Sequence, residues 1–187
     1  MEIIETGIPE VKVLVPKRIG DARGFMSEVW NSRDFAAAGV AADFVQDNHV
    51  RNPCKGTLRG LHYQLPPAAQ GKLLRVAQGA IFDVAVDIRR GSPTFGRAAG
   101  VVLSAENWRQ LWVPAGFAHG YLTLEDDTEV VYKVTDFYSP VHDRGLAWDD
   151  PEIGVAWPRE VGSLLLSDRD RRHPRLSDQP ELFGYPA

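Results

Sequence analysis

Residues 72–89 read KLLRVAQGAIFDVAVDIR. The stretch is rich in β-branched residues and carries period-two runs, the pattern of strands with an inward and an outward face. Downstream, AAGVVLS (98–104) repeats it. RQLWVPAGFAHGYLTL (109–124) reads as a strand, a Pro-Gly turn and a second strand, and TEVVYKVTDFY (128–138) as another. Upstream, TLRGLHYQL (57–65) is a strand interrupted by Gly60, which implies a bulge or a close backbone approach. FVQDNHV (44–50) is strand-like, and NPCKG (52–56) and QLPPAAQG (64–71) are a turn and a loop.

Nearer the N-terminus, VKVLVPKRI (11–19) alternates loosely, GDARG (20–24) is a turn, and FMSEVW (25–30) resumes as a strand. DFAAAGV (34–40) is a short helix closed by Gly39. From Ser139 on, Pro, Asp and Arg dominate, giving loops with short helices. Many strands at regular spacing with little helix make the chain all-β: an antiparallel jelly roll or β-sandwich with short peripheral helices. At 187 residues it is expected to form a single domain over 1–187.

Composition narrows the function classes. The net charge of -4 argues against a nucleic-acid partner but allows a small anionic ligand in a local basic pocket. Cys54 is the single cysteine, so no intrachain disulfide forms, which fits a cytoplasmic setting. The N-terminus lacks the basic start of a signal peptide, and no apolar run is long enough to span a membrane.

A jelly roll holds a pocket open at one end. In TLRGLHYQ, strict alternation from Arg59 would put Leu61 and Tyr63 on its side and His62 opposite. A bulge at Gly60 could reset that phase and let Arg59 and His62 share one pocket. His62 has three readings: metal ligand, catalytic base or core residue. The run P-x-G-x-x-H at Pro114–His119 resembles the second motif of the cupin superfamily, whose metal-binding members also carry H-x-H. No H-x-H occurs here, and His62 with His119 is too small a ligand set, so no metal is expected. Arg59, Lys72 and Arg75 near His62 in sequence weaken the core reading and suit a phosphorylated or enolisable substrate. Tyr132 is either core or a proton donor. Asp170 is either solvated or the carboxylate that orients a histidine, and spacing alone cannot join it to His62. His142 and His173, in polar surroundings, are expected at the surface. The tryptophans are expected to pack or to form an oligomer interface.

Several blocks together resemble the dTDP-4-dehydrorhamnose 3,5-epimerase family of nucleotide 4-keto-6-deoxysugar epimerases. They are DARGFMSEVW (21–30), FVQDNHV (44–50), GTLRGLHYQ (56–64) and QGKLLRVAQGAIFDVAVDIRRGSPTFG (70–96), followed by LSAENWRQLWVPAGFAHGYLTL (103–124), YKVTDFYSP (132–140) and WDDPEIGVAWP (148–158). The resemblance implies a cupin-type jelly roll, a homodimer and no metal or organic cofactor. Its implied substrate is a dTDP-4-keto-6-deoxyhexose, inverted at C3 and C5 through an enolate. It implies His62 as base, Tyr132 as acid, Asp170 as the partner of His62, and Lys72 at the enolate oxygen. It implies substrate contacts for Arg23, Glu28, Gln46, Asp47, Asn48, Arg59, Lys72, His119, Asp143 and Arg169. An N-terminal strand exchanged between subunits would carry Arg23 and Glu28 to the partner's pocket.

Three positions depart from the family pattern. Met26 replaces a common aromatic, Asp143 an expected glutamate, and Arg169 the usual lysine. The last two bear on substrate identity, so an epimerase of C3 or C5 alone is the alternative. The rivals from other classes are a non-catalytic sugar-nucleotide-binding jelly roll and a metal-dependent cupin.

Overall fold

The computed structural model describes residues 1–185; Pro186 and Ala187, the end of the expected 1–187 domain, lie outside the described residues. The first strands are β1 (Glu2–Glu5), β2 (Lys12–Val15), β3 (Arg18–Asp21) and β4 (Gly24–Ser27), followed by helix α1 (Ser32–Ala37). Next come β5 (Gln46–Asn52), β6 (Leu58–Gln64), β7 (Lys72–Gln78), β8 (Ala80–Asp87) and β9 (Arg89–Arg90). The chain continues with β10 (Ala98–Ser104), β11 (Gln110–Val113), β12 (Phe117–Thr123), β13 (Thr128–Val134) and β14 (Asp143–Gly145). Two single-turn 3-10 helices, Asp170–Arg172 and Leu176–Asp178, precede β15 (Phe183–Gly184).

A six-stranded sheet, in the order β1-β2-β11-β7-β13-β5, faces a five-stranded sheet, β10-β8-β12-β6-β14. All pairings within both sheets are antiparallel. The fold is the expected all-β jelly roll. Its interior is apolar, with Val13, Leu74, Ile81, Ala85, Leu111 and Val130 packing in one cluster between the sheets.

Strand β8 is nearly continuous in burial because both of its faces are covered. Ile81 and Ala85 face the interior, while Val84 and Val86 pack outward against Leu146, Ile153 and Leu176 of the C-terminal segment. That segment is therefore a third layer rather than a loose tail. On the far side, α1 covers the six-stranded sheet. Six residues are too few to hold a helix alone. The Asn31 side chain caps it by accepting from the backbone N–H of Arg33 at 3.2 Å, and the fully buried Phe35 anchors it beside Leu14, Leu73 and Trp112. Trp112, Trp148 and Trp157 all serve packing clusters.

β1, β14 and β15 were not legible in the sequence, being short and paired to strands whose own patterns are stronger. β3 and β4 form a separate hairpin that carries the exposed Ile19, Phe25 and Met26.

Candidate active site

At one end the sheets part around a cavity of about 540 Å³, a volume in the range of small-ligand pockets. Strand β6 carries the irregularity that sets the site. Gly60 sits at φ +125°, and the β6–β12 register shifts across it. The phase resets there: Leu61 and Tyr63 turn outward into the layer under the C-terminal segment, while Arg59 and His62 both line the cavity. Without the reset, the outward residues would be the ones facing the ligand.

His62 Nε2 lies 2.6 Å from Asp170 Oδ1. Burial alone would raise the Asp170 carboxyl, yet the imidazoles of His173 and His62 beside it hold it well below the usual carboxylate range. Asp170 is thus an acceptor, and His62 Nε2 must be the donor. That tautomer leaves the lone pair on Nδ1, the nitrogen free to take a proton. Burial pulls the His62 imidazole below its ordinary value, Asp170 opposes the fall, and Lys72 and His173 add to it.

Lys72 reaches from β7 across the gap between the sheets, its Nζ 3.5 Å from the His62 carbonyl oxygen. Burial pushes its ammonium down to about 8, with Asp143 and Asp83 acting the other way. It therefore remains mostly charged near neutral pH. Tyr132, on β13 of the opposite sheet from His62, also lines the cavity. Burial raises its phenol, with Arg59 opposing, so the group keeps its proton and can give it. Arg59 Nε donates to the buried Asn52 Oδ1 at 2.8 Å, which ties the guanidinium across the sheets. His119 is 2.5 Å from the fully buried Asp83 through Nε2, and its strand places it directly beside His62 in register. Asp143 pairs with Arg169 at 2.7 Å and accepts from Tyr138 Oη at 3.1 Å. The expected acid shortened by one methylene is thus met by a longer base.

The cavity brings together His62, Lys72, Tyr132, Asp170, Arg59, His119, Gln46, Asn48, Asp143 and Arg169. Three expected residues are not in it. Asp47 points to the outer face of β5 and pairs with Lys133 at 2.8 Å, because alternation sends 46, 48 and 50 inward and 47 outward. Arg23 sits in the β3–β4 turn, its side chain 89% exposed and paired with Asp21, and Glu28 is exposed just beyond that hairpin. Within one chain neither reaches the cavity. Arg75 also departs from expectation, its guanidinium lying over Trp108 instead.

His173 is a further correction. It is not a surface residue: its side chain is 10% exposed and its ring stands edge-on to His62 at 5.5 Å. The charged run SDRDRRHP concealed this, because the 3-10 turn sends Asp168, Arg171 and Arg172 outward while it turns Asp170 and His173 inward. Asn52 and Asp83 were also missed. Asn52 shares the inward parity of Gln46 and Asn48, and Asp83 is an acid in an apolar strand, so each carried a readable signal.

A jelly roll with a histidine–carboxylate pair on one sheet, a protonated phenol on the other and an ammonium between them fits a class: cupin-type enzymes of proton-transfer chemistry. The comparisons with known proteins narrow it. The family model described as dTDP-4-dehydrorhamnose 3,5-epimerase matches residues 5–178, and the chain belongs to that family. It is 55% identical to the dTDP-4-dehydrorhamnose 3,5-epimerase of Shigella flexneri, over 95% of this chain and 97% of the relative. The crystal structure of dTDP-6-deoxy-D-glucose-3,5-epimerase from Legionella pneumophila, in complex with dTDP-4-keto-L-rhamnose, superposes with a TM-score of 0.94 at 44% identity, covering 100% of this chain and 99% of that one. ChmJ, a 3'-monoepimerase from Streptomyces bikiniensis in complex with dTDP-quinovose, superposes with a TM-score of 0.85 at 35% identity, covering 91% and 86%.

Proposed function

We propose that this chain, acting as one domain over 1–187, epimerises dTDP-4-dehydro-6-deoxy-D-glucose at C3 and C5 to dTDP-4-dehydro-L-rhamnose. The observation that carries the reading is the 2.6 Å His62–Asp170 dyad in one cavity with Lys72 and Tyr132. Nδ1 of His62 removes the proton beside the C4 ketone. The resulting imidazolium is stabilised by Asp170, and the Lys72 ammonium stabilises the enolate oxygen at C4. Tyr132, from the other sheet, returns a proton to the opposite face, which inverts the carbon. The carbon changes only its configuration, so the chemistry calls for no cofactor.

Arg59, fixed by Asn52, suits the diphosphate, since a guanidinium forks onto oxyanions. Gln46 and Asn48, hydrogen-bonded to each other at 2.9 Å, add neutral polar contacts along the same wall. Asp143 with Arg169 and His119 with Asp83 complete the sugar end. A homodimer supplies Arg23 and Glu28 from the partner's β3–β4 arm. The exposed register pair Ile19 and Met26 on that hairpin, 58% and 59% exposed, supports such a contact. No described helix is long and apolar enough to cross a membrane, consistent with work in the cytoplasm.

Proton NMR of the 4-keto sugar nucleotide in heavy water tests the reading at both carbons. The expected result is solvent deuterium at C3 and C5 with the native chain, and none with His62→Ala. Exchange at one carbon alone would make the chain a mono-epimerase. Unchanged exchange in His62→Ala would remove His62 as the base.

A further inference from the structure

His173 does something the reaction does not require. It follows the first 3-10 turn, and its ring fills the space above Gly145, where an added Cβ would meet its Nε2, Cε1 and Cδ2. Its Nε2 is buried with no hydrogen-bond partner. Asp170 Oδ1 faces it at 3.6 Å, beyond hydrogen-bond range. A buried imidazole nitrogen left unpaired is uncommon, and this one is aimed at the dyad. One ligand atom each from His62, Asp170 and His173 lies within 4.8 Å of the others.

We propose that His62, Asp170 and His173 form a site for a divalent transition metal of the zinc class, whose occupancy switches the base off. Two imidazoles and a carboxylate are the donor set of zinc rather than of magnesium or calcium, which take oxygen ligands. Metal–ligand bonds of about 2.0–2.2 Å in a tetrahedron put donor atoms roughly 3.3 Å apart. The His173–Asp170 pair at 3.6 Å is already near that spacing, and the His62–Asp170 pair at 2.6 Å must open by a fraction of an ångström. His62 is about one-third exposed, which leaves a path for the ion from the cavity, and water fills the fourth position.

The proton count explains the inhibition. In the dyad, neutral His62 carries its proton on Nε2 and an empty Nδ1. A metal on Nε2 takes the electron pair that now holds the proton, so that proton moves to Nδ1 and is held by its lone pair. No net proton is released, no bond to carbon is involved, and the nitrogen that should accept from the sugar is now blocked. His173 coordinates through its free Nε2 with its own proton on Nδ1. Because this inhibition rests on the proposed base, binding and inhibition are measured separately.

Protein stripped with chelator and dialysed is titrated with cobalt(II) chloride, followed by visible absorption, and with zinc chloride by calorimetry. One ion per chain is expected, with the intense visible bands of tetrahedral cobalt. His173→Ala should weaken zinc at least tenfold. His173→Gln, which keeps the space above Gly145 filled, should do the same if the alanine variant folds poorly by circular dichroism. His142→Ala should bind as the native chain does. Zinc should stop deuterium exchange into the sugar, and chelator should restore it. No stoichiometric binding, or binding unchanged in both His173 variants, overturns the site. Stoichiometric, His173-dependent binding by a chain that exchanges no deuterium even without metal upholds the site and overturns the epimerase reading instead.

Discussion

Replacing Gly60 by alanine would put a Cβ 2.5 Å from Gly120 Cα and 2.8 Å from the His119 carbonyl oxygen. Both obstacles are backbone, so no rotamer change relieves them. The position also holds φ at +125°, where an L side chain is strained. Overpacking of this kind costs about 1–3 kcal/mol. An unfavourable positive φ adds roughly 1–2 kcal/mol. The expected loss is therefore about 2–5 kcal/mol, and for a chain of this size each kcal/mol lowers Tm by about 2–4 °C. Scanning calorimetry should show a fall on the order of 5–20 °C. The folded fraction should also lose turnover out of proportion to its stability. Arg59 and His62 share the cavity only through the Gly60 reset, and a shift of about 1 Å in a reacting group costs roughly 100-fold. A variant within about 1 kcal/mol of the native chain, with native deuterium exchange, would refute the role given to this glycine.

Tyr132→Phe should keep deuterium exchange into the sugar while inversion falls by about 100-fold or more, read by NMR of product configuration; full inversion would remove Tyr132 as the acid. Asp87 is fully buried and accepts from Arg89, Ser92 and Thr94, and although burial opposes it, those hydrogen bonds hold its carboxyl below the ordinary value. Its stabilisation is present above the unfolded pKa near 3.9 and is lost as pH falls through the lower folded value. Asp87→Asn should thus cost about 2 kcal/mol in urea melts at pH 7, and its deficit should shrink as the pH drops below about 4. Arg169→Ala should change stability by less than about 1 kcal/mol, because the pair it breaks is half-exposed on the arginine side, while KM for the sugar nucleotide rises several-fold.

Local pattern carried most of the fold. The strands from β6 to β13 follow period-two runs and Gly or Pro turns, and the Gly60 irregularity was visible as a possibility. What was missing is long-range. His62 and Asp170 are 108 residues apart, and no local signal joins them. The outward face of β8 looks like ordinary core in sequence, because the C-terminal layer that covers it has no periodicity of its own. Asp47 shows the opposite case. The resemblance admitted it with its neighbours, although the alternation of β5 already separates it from Gln46 and Asn48. His173 was hidden by composition, since its charged neighbours describe the turn's exposed side and not the one ring it turns inward.

Asp170 lies close to the end of the chain, while His62 lies in its first half. Synthesis runs from the N-terminus, so a ribosome finishes both sheets' long strands, and most of the cavity wall, before it adds the carboxylate proposed to orient His62. A product truncated ahead of Asp170 would retain the arginine, the lysine and the tyrosine but have an unpaired His62. It would also lose Leu176, Leu182 and Phe183 from the layer outside Leu61, Val84 and Val86, while Leu146 and Ile153 stay in place. The last part of that cover thus arrives just after the proposed partner of His62.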